Sequence, residues 1–100
     1  MNIITLYHQN VRSLTNKIDE LSIIMQKNYI GPQFICLTDH HLKETEITKI
    51  SFEGYTLASG CYRKISLGGG VCIFINKNLA YESIDVNQFC CEKTLEICAV

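Results

Sequence analysis

The sequence has little net charge, no long apolar run and no closely spaced cysteine pair of the CxxC kind, and each lack excludes something. Nine Lys and Arg against ten Asp and Glu leave a formal charge of −1 over 100 residues. That balance argues against an autonomous, strongly basic nucleic-acid binder, although it leaves room for a local basic patch. No apolar stretch reaches the length, about 20 residues, that a membrane-crossing helix needs. The opening MNIITLYHQN lacks a basic region and turns polar after Tyr7, so it does not read as a secretory leader. Without CxxC spacing the six cysteines give no zinc signature. Cys36, Cys72 and Cys98 each lie inside an apolar, strand-like run, where a thiol acts as a small hydrophobe. Reduced core thiols are therefore expected, with an intracellular location, nucleus or cytoplasm, and no secretion.

What is present is a chain that is 47% hydrophobic, enough for one domain with a real core. NIITLYHQ alternates loosely and is rich in Ile and Thr, so it reads as a first strand. A helix pattern starts at Asn16 as N-cap, with Asp19 and Glu20 in the first turn. Its apolar stripe is Ile18, Leu21 and Met25, with Leu14 or Ile24 at the margin, and Asn28 and Gly31-Pro32 close it. QFICLT follows as a second strand, apolar enough to suit burial on both faces of a sheet. The strand–helix–strand start has a crossover long enough for parallel pairing. GYTLASGCYR reads as a strand edging into a loop, ISLGGGVCIFIN as a turn and a strong strand, and TLEICAV as a final strand. The fold class is α/β and strand-rich, with one clear helix. That last strand reaches Val100 with no cap or turn behind it, so residues 1–100 are expected to be a piece of a larger domain.

The stretch ICLTDHHL raises the chemical question, because two of three histidines stand beside an aspartate at a strand's end. Asn10 and Asp39 are both expected just beyond the carboxyl ends of the first two strands, the edge where open α/β sheets bind ligands. An amide oxygen and a carboxylate meeting there would suit Mg²⁺. Both residue types also favour turns, so the residues alone leave a metal edge and ordinary turns as alternatives. Consecutive residues of an extended segment point to opposite sides, so His40 and His41 are not expected on one metal. One packed or hydrogen-bonded histidine is the expectation, with His8 on a strand surface. No Ser or Cys nucleophile is placed near a histidine, so a catalytic triad is not supported. Gly68, Gly69 and Gly70 precede a strand and lack a following Lys-Ser/Thr, which excludes a phosphate-binding loop and leaves a turn or close backbone approach. Arg12, Arg63 and Lys64 lie in loops where they could meet phosphates, or simply be solvated.

LYHQNVRSLTNKIDEL, FICLTDHHL, FEGYTLAS and GGGVCIFIN, in that order, resemble the N-terminal half of the endonuclease domain of non-LTR retrotransposons. Those domains belong to the endonuclease/exonuclease/phosphatase superfamily, related to DNase I. The resemblance runs over nearly the whole chain. It implies a four-layer, DNase I-like sandwich of two sheets with helices outside, here incomplete. It implies Mg²⁺-dependent hydrolysis of a DNA phosphodiester, with a reverse transcriptase region in a full-length product. By the resemblance Asn10 stands near metal and phosphate, Asp39 is the metal-binding carboxylate, and His41 is a supporting residue. Arg12, Arg63 and Lys64 become nucleic-acid contacts. The family usually has glutamate where this chain has Asp39, and a side chain one methylene shorter can displace a ligand by about 1 Å, enough for roughly a hundredfold in rate. The family's later motifs, which include an Asp-x-Asn pair and a Ser-Asp-His, would fall beyond Val100. The expected molecule is thus an endonuclease fragment inactive alone. The alternatives are a degenerate, non-catalytic remnant and a nucleic-acid-binding module.

Overall fold

The computed structural model describes residues 4–27, 32–63, 68–85, 90, 96 and 98–100, with the side chains of 24–27 left aside. Lys64 and Cys91 therefore lie outside the described residues, as do the side chains of Ile24 and Met25. Four strands form one mixed sheet: β1 (Leu6–Asn10), β2 (Phe34–Thr38), β3 (Tyr55–Cys61) and β4 (Val71–Asn76), in the order β1-β2-β4-β3. β1 runs parallel to β2, with Asn10 opposite Thr38. β4 pairs antiparallel with both β2 and β3. The chain is a small mixed α/β fold, with the strand–helix–strand start and the parallel pair read from the sequence.

The β1–β2 crossover holds a 3-10 turn, Leu14–Asn16, followed by α1 (Ile18–Lys27). Asn16 was expected to cap the helix; it instead ends the 3-10 turn, because Lys17 N–H bonds back to Leu14 O at 2.9 Å. Asp19 and Glu20 do occupy the first turn of α1, where carboxylates favour the helix dipole. A second, short helix, α2 (Glu44–Ile47), lies where no helical period is visible in the sequence. The Glu46 carboxylate accepts the Lys43 backbone N–H at 3.0 Å, which supports so short a turn.

Ile35, Leu37, Cys72 and Phe74 point to one face of the two central strands, where Ile35 lies opposite Phe74 and Leu37 opposite Cys72. Leu14 and Leu21 from the crossover, Ile47 from α2, and Phe52 cover that face and make the main core. Phe52 meets Phe74 edge-on, ring centroids 5.0 Å apart, a favoured aromatic arrangement. The Tyr55 hydroxyl is buried with its ring and donates to Pro32 O at 2.6 Å. Burial on both faces of β2 was expected, and here the structure differs. Phe34, Cys36 and Thr38 are only half-buried, because the described helical segments stack on the Ile35/Leu37 side. Beside them on β1, Leu6 and His8 are exposed.

Cys36, Cys72 and Cys98 are free thiols. Burial pushes the Cys72 thiol up to about 12 and the Cys98 thiol up to about 11, so both stay protonated near neutrality. Only an isolated bridge, Ile84 to Ala99, is present among the described residues of the expected final strand. Residues 91–95 and 97 of that stretch lie outside the described residues. No described helix is long and apolar enough to cross a membrane.

Candidate functional site

The carboxyl ends of β1 and β2 and the amino end of β4 lie at one edge of the sheet, as parallel and antiparallel pairing require. Three loops meet there. Residues 11–14 bond to residues 38–40 through Val11 N–H to Thr38 O (2.9 Å), Ser13 N–H to Asp39 O (2.9 Å) and Leu14 N–H to His40 O (3.0 Å). Residues 39–41 bond in turn to the glycine turn, through Asp39 N–H to Gly70 O (2.7 Å) and His41 N–H to Gly69 O (2.8 Å). The ladder of β1 and β2 thus continues past the strand ends, with loop in place of strand.

Strain is concentrated in the same loops. Among the described residues, Arg12, Ser13, Asp39 and His41 are the non-glycine residues at positive φ, with values of 44°, 88°, 59° and 61°. Such backbone costs on the order of 1–3 kcal/mol per residue and persists only where surrounding bonds over-determine it. The cross-loop bonds do that here. An observed cluster of outliers at a strand edge is a pointer to function, independent of any motif.

Asp39 follows β2 directly, while Asn10 is the last residue of β1 rather than one beyond it. The Asp39 carboxylate Oδ1 accepts the Gly69 N–H at 2.9 Å and lies 2.7 Å from His41 Nε2. Asn10 and Arg12 are exposed. His8 is exposed on β1, and the two neighbouring histidines separate, His40 inward and His41 outward, on backbone that is left-handed at Asp39 and His41 rather than extended. His40 is fully buried. Its Nδ1 accepts the Leu42 N–H at 2.9 Å, which places the ring proton on Nε2, 3.1 Å from Cys61 O. Burial lowers the proton affinity of His40, against the opposing pull of its backbone partners and of Glu96.

Gly68, Gly69 and Gly70 all have positive φ. Two of them are closely approached: a Cβ on Gly69 would meet the Arg63 guanidinium, and one on Gly70 the buried His40 ring. Successive backbone N–H groups in such a turn form an anion-binding nest. This nest holds the chain's own carboxylates, since Gly69 N–H serves Asp39 and Gly70 N–H serves Glu96 Oε1 at 2.7 Å. Arg63, expected as a nucleic-acid contact, donates from Nε to Glu96 Oε2 at 2.6 Å. Glu96 was not singled out in the sequence. Its only signal there is a lone acid inside the apolar run TLEICAV.

Among the described residues no group of three or more His, Cys, Asp or Glu side chains is placed to hold a metal ion. Mg²⁺ asks for less from protein, needing one or two carboxylates with other oxygens and water. Asp39 and Asn10 carry oxygen donors of that kind, one carboxylate and one amide, at adjacent strand ends. Comparison with protein-family models, with curated proteins and with solved structures found no match to this chain.

Proposed function

We propose that this chain carries the metal-binding edge of a Mg²⁺-dependent DNA endonuclease, of the retrotransposon type within the endonuclease/exonuclease/phosphatase superfamily. On this reading it does not cleave DNA alone. The observation that supports it best is the convergence of three loops on Asp39, two of them strained, at the sheet edge next to Asn10. Bound there, Mg²⁺ would supply a Lewis acid that offsets phosphate charge and acidifies a water. Asp39 provides the anionic oxygen for the metal, and Asn10 an amide that orients a neighbouring phosphate. His41 fixes the direction of the Asp39 carboxylate, as partners of metal-binding carboxylates commonly do. Arg12, exposed in the loop after β1, is the cation best placed to meet a DNA phosphate. Lys64 would join it from outside the described residues. The four-layer, DNase I-like sandwich belongs to the same proposal. The half-buried face with Phe34, Cys36 and Ile73 is the one that would pack on a second sheet.

A fluorescent duplex oligonucleotide tests the reading. Retention by the chain should rise with millimolar Mg²⁺ and vanish in Asp39→Ala, and supercoiled plasmid should stay intact throughout. Retention indifferent to Mg²⁺ and to Asp39→Ala would make the chain a plain nucleic-acid-binding module. Mg²⁺-dependent nicking that Asp39→Ala removes would overturn only the claim of inactivity.

A further inference from the structure

Arg63 and Glu96 lie apart in sequence, yet both side chains are largely withdrawn from solvent, at 18% and 12% exposure. Two of their contacts lead to the candidate site. One oxygen of Glu96 takes the Arg63 Nε–H at 2.6 Å, and the other takes the Gly70 N–H at 2.7 Å. The guanidinium lies against Gly69, where a Cβ would meet it. The next amide along, that of Gly69, donates to Asp39 Oδ1 at 2.9 Å. Lys43 fixes the other end, its Nζ donating to Arg63 O at 2.6 Å. A continuous path therefore runs from Arg63 through Glu96, Gly70 and Gly69 to Asp39 and His41.

We infer that the Arg63–Glu96 ion pair is a positioning brace, which clamps the glycine turn so that its Gly69 N–H holds the Asp39 carboxylate in place. The inference rests on the reading of Asp39 as a metal ligand for its purpose, though not for its geometry. A glycine turn alone has too much backbone freedom to aim one N–H at one carboxylate. Glu96 removes that freedom by bonding the turn, and Arg63 removes it by covering the turn and anchoring Glu96. Neither side chain touches the metal or the phosphate. They act through Asp39, in the manner of outer-shell partners whose loss costs about 10- to 100-fold in metal affinity.

Glu96→Gln alone takes one charge out of a largely buried ion pair and can unfold the chain. The informative variant is therefore the double substitution Arg63→Met with Glu96→Gln, which removes both charges together. Two quantities are read on the full chain by NMR: hydrogen exchange of single amides, and Mn²⁺-induced broadening near Asp39. In the double variant, exchange at Gly69 should quicken at least about tenfold, and Mn²⁺ affinity should fall by about the same factor. Ile73 and Phe74 in β4 should keep their protection, which a general loss of stability would not allow. Quickened exchange at Gly70 with Gly69 unchanged would overturn the brace, since Glu96 would then be only a local cap. Faster Gly69 exchange in a chain whose wild type binds no Mn²⁺ would uphold the brace and overturn the metal reading instead.

Discussion

His40 and His41 are neighbours of identical chemistry with opposite situations, and the difference sets a pH dependence. His40 is fully buried, and protonating its Nδ1 would break the bond from the Leu42 N–H. Its affinity for a proton is therefore lowered, chiefly by burial. In the unfolded chain the same ring titrates near its ordinary value, about 6.5. Between that value and the lower folded one, the unfolded state binds more protons. The stability linked to His40 is thus complete above about pH 6.5 and is lost as the pH falls below it. Urea midpoints should be flat above neutrality and should drop on acidification. His40→Gln, which supplies an acceptor and a donor but no titration, should lower the neutral midpoint and flatten the drop. An equal drop in both proteins would show that other groups drive it.

At the scale of elements, β2 is the strand whose two faces differ most from what its composition suggests. FICLT reads as apolar almost throughout, yet Ile35 and Leu37 are fully buried while Phe34, Cys36 and Thr38 are half-buried. Leu37→Ala should cost about 2–5 kcal/mol, the range for deleting a buried leucine in a packed core. Cys36→Ala should cost about 1 kcal/mol, since less is withdrawn from water. Chemical denaturation of the two variants measures both. Equal costs would mean that the strand is packed alike on its two sides. The existence of β2 was legible because an apolar run between turn residues has few other readings. Which face helices cover was not, because the periodicity of a continuous apolar run carries no side. α2 escaped notice for a related reason: four residues, ETEI, are too few to show a helical period, and Ile47 is its one buried side chain.

For the molecule as a whole, the sheet edge was legible and its wiring was not. Asn10, which ends β1, and Asp39, which follows β2, could be set at one sheet edge from sequence, since the two strands make a parallel pair. That His41 bonds Asp39 lies two residues away and within reach of such an argument. That Glu96 holds the glycine turn does not, because Arg63 and Glu96 are 33 residues apart and no local pattern links them. The left-handed backbone at Arg12, Ser13, Asp39 and His41 was equally hidden, as none of these is a glycine. On the proposed reading, the loops and the glycine turn together present one carboxylate, beside one amide, to a divalent cation. Anomalous scattering from a crystal of the chain soaked in Mn²⁺ tests it most directly. The account predicts a single strong peak within bonding distance of the Asp39 carboxylate, on the side facing Asn10, which Mg²⁺ displaces. A crystal with Mn²⁺ elsewhere, or with Asp39 holding only His41 and Gly69 at saturating metal, would contradict it.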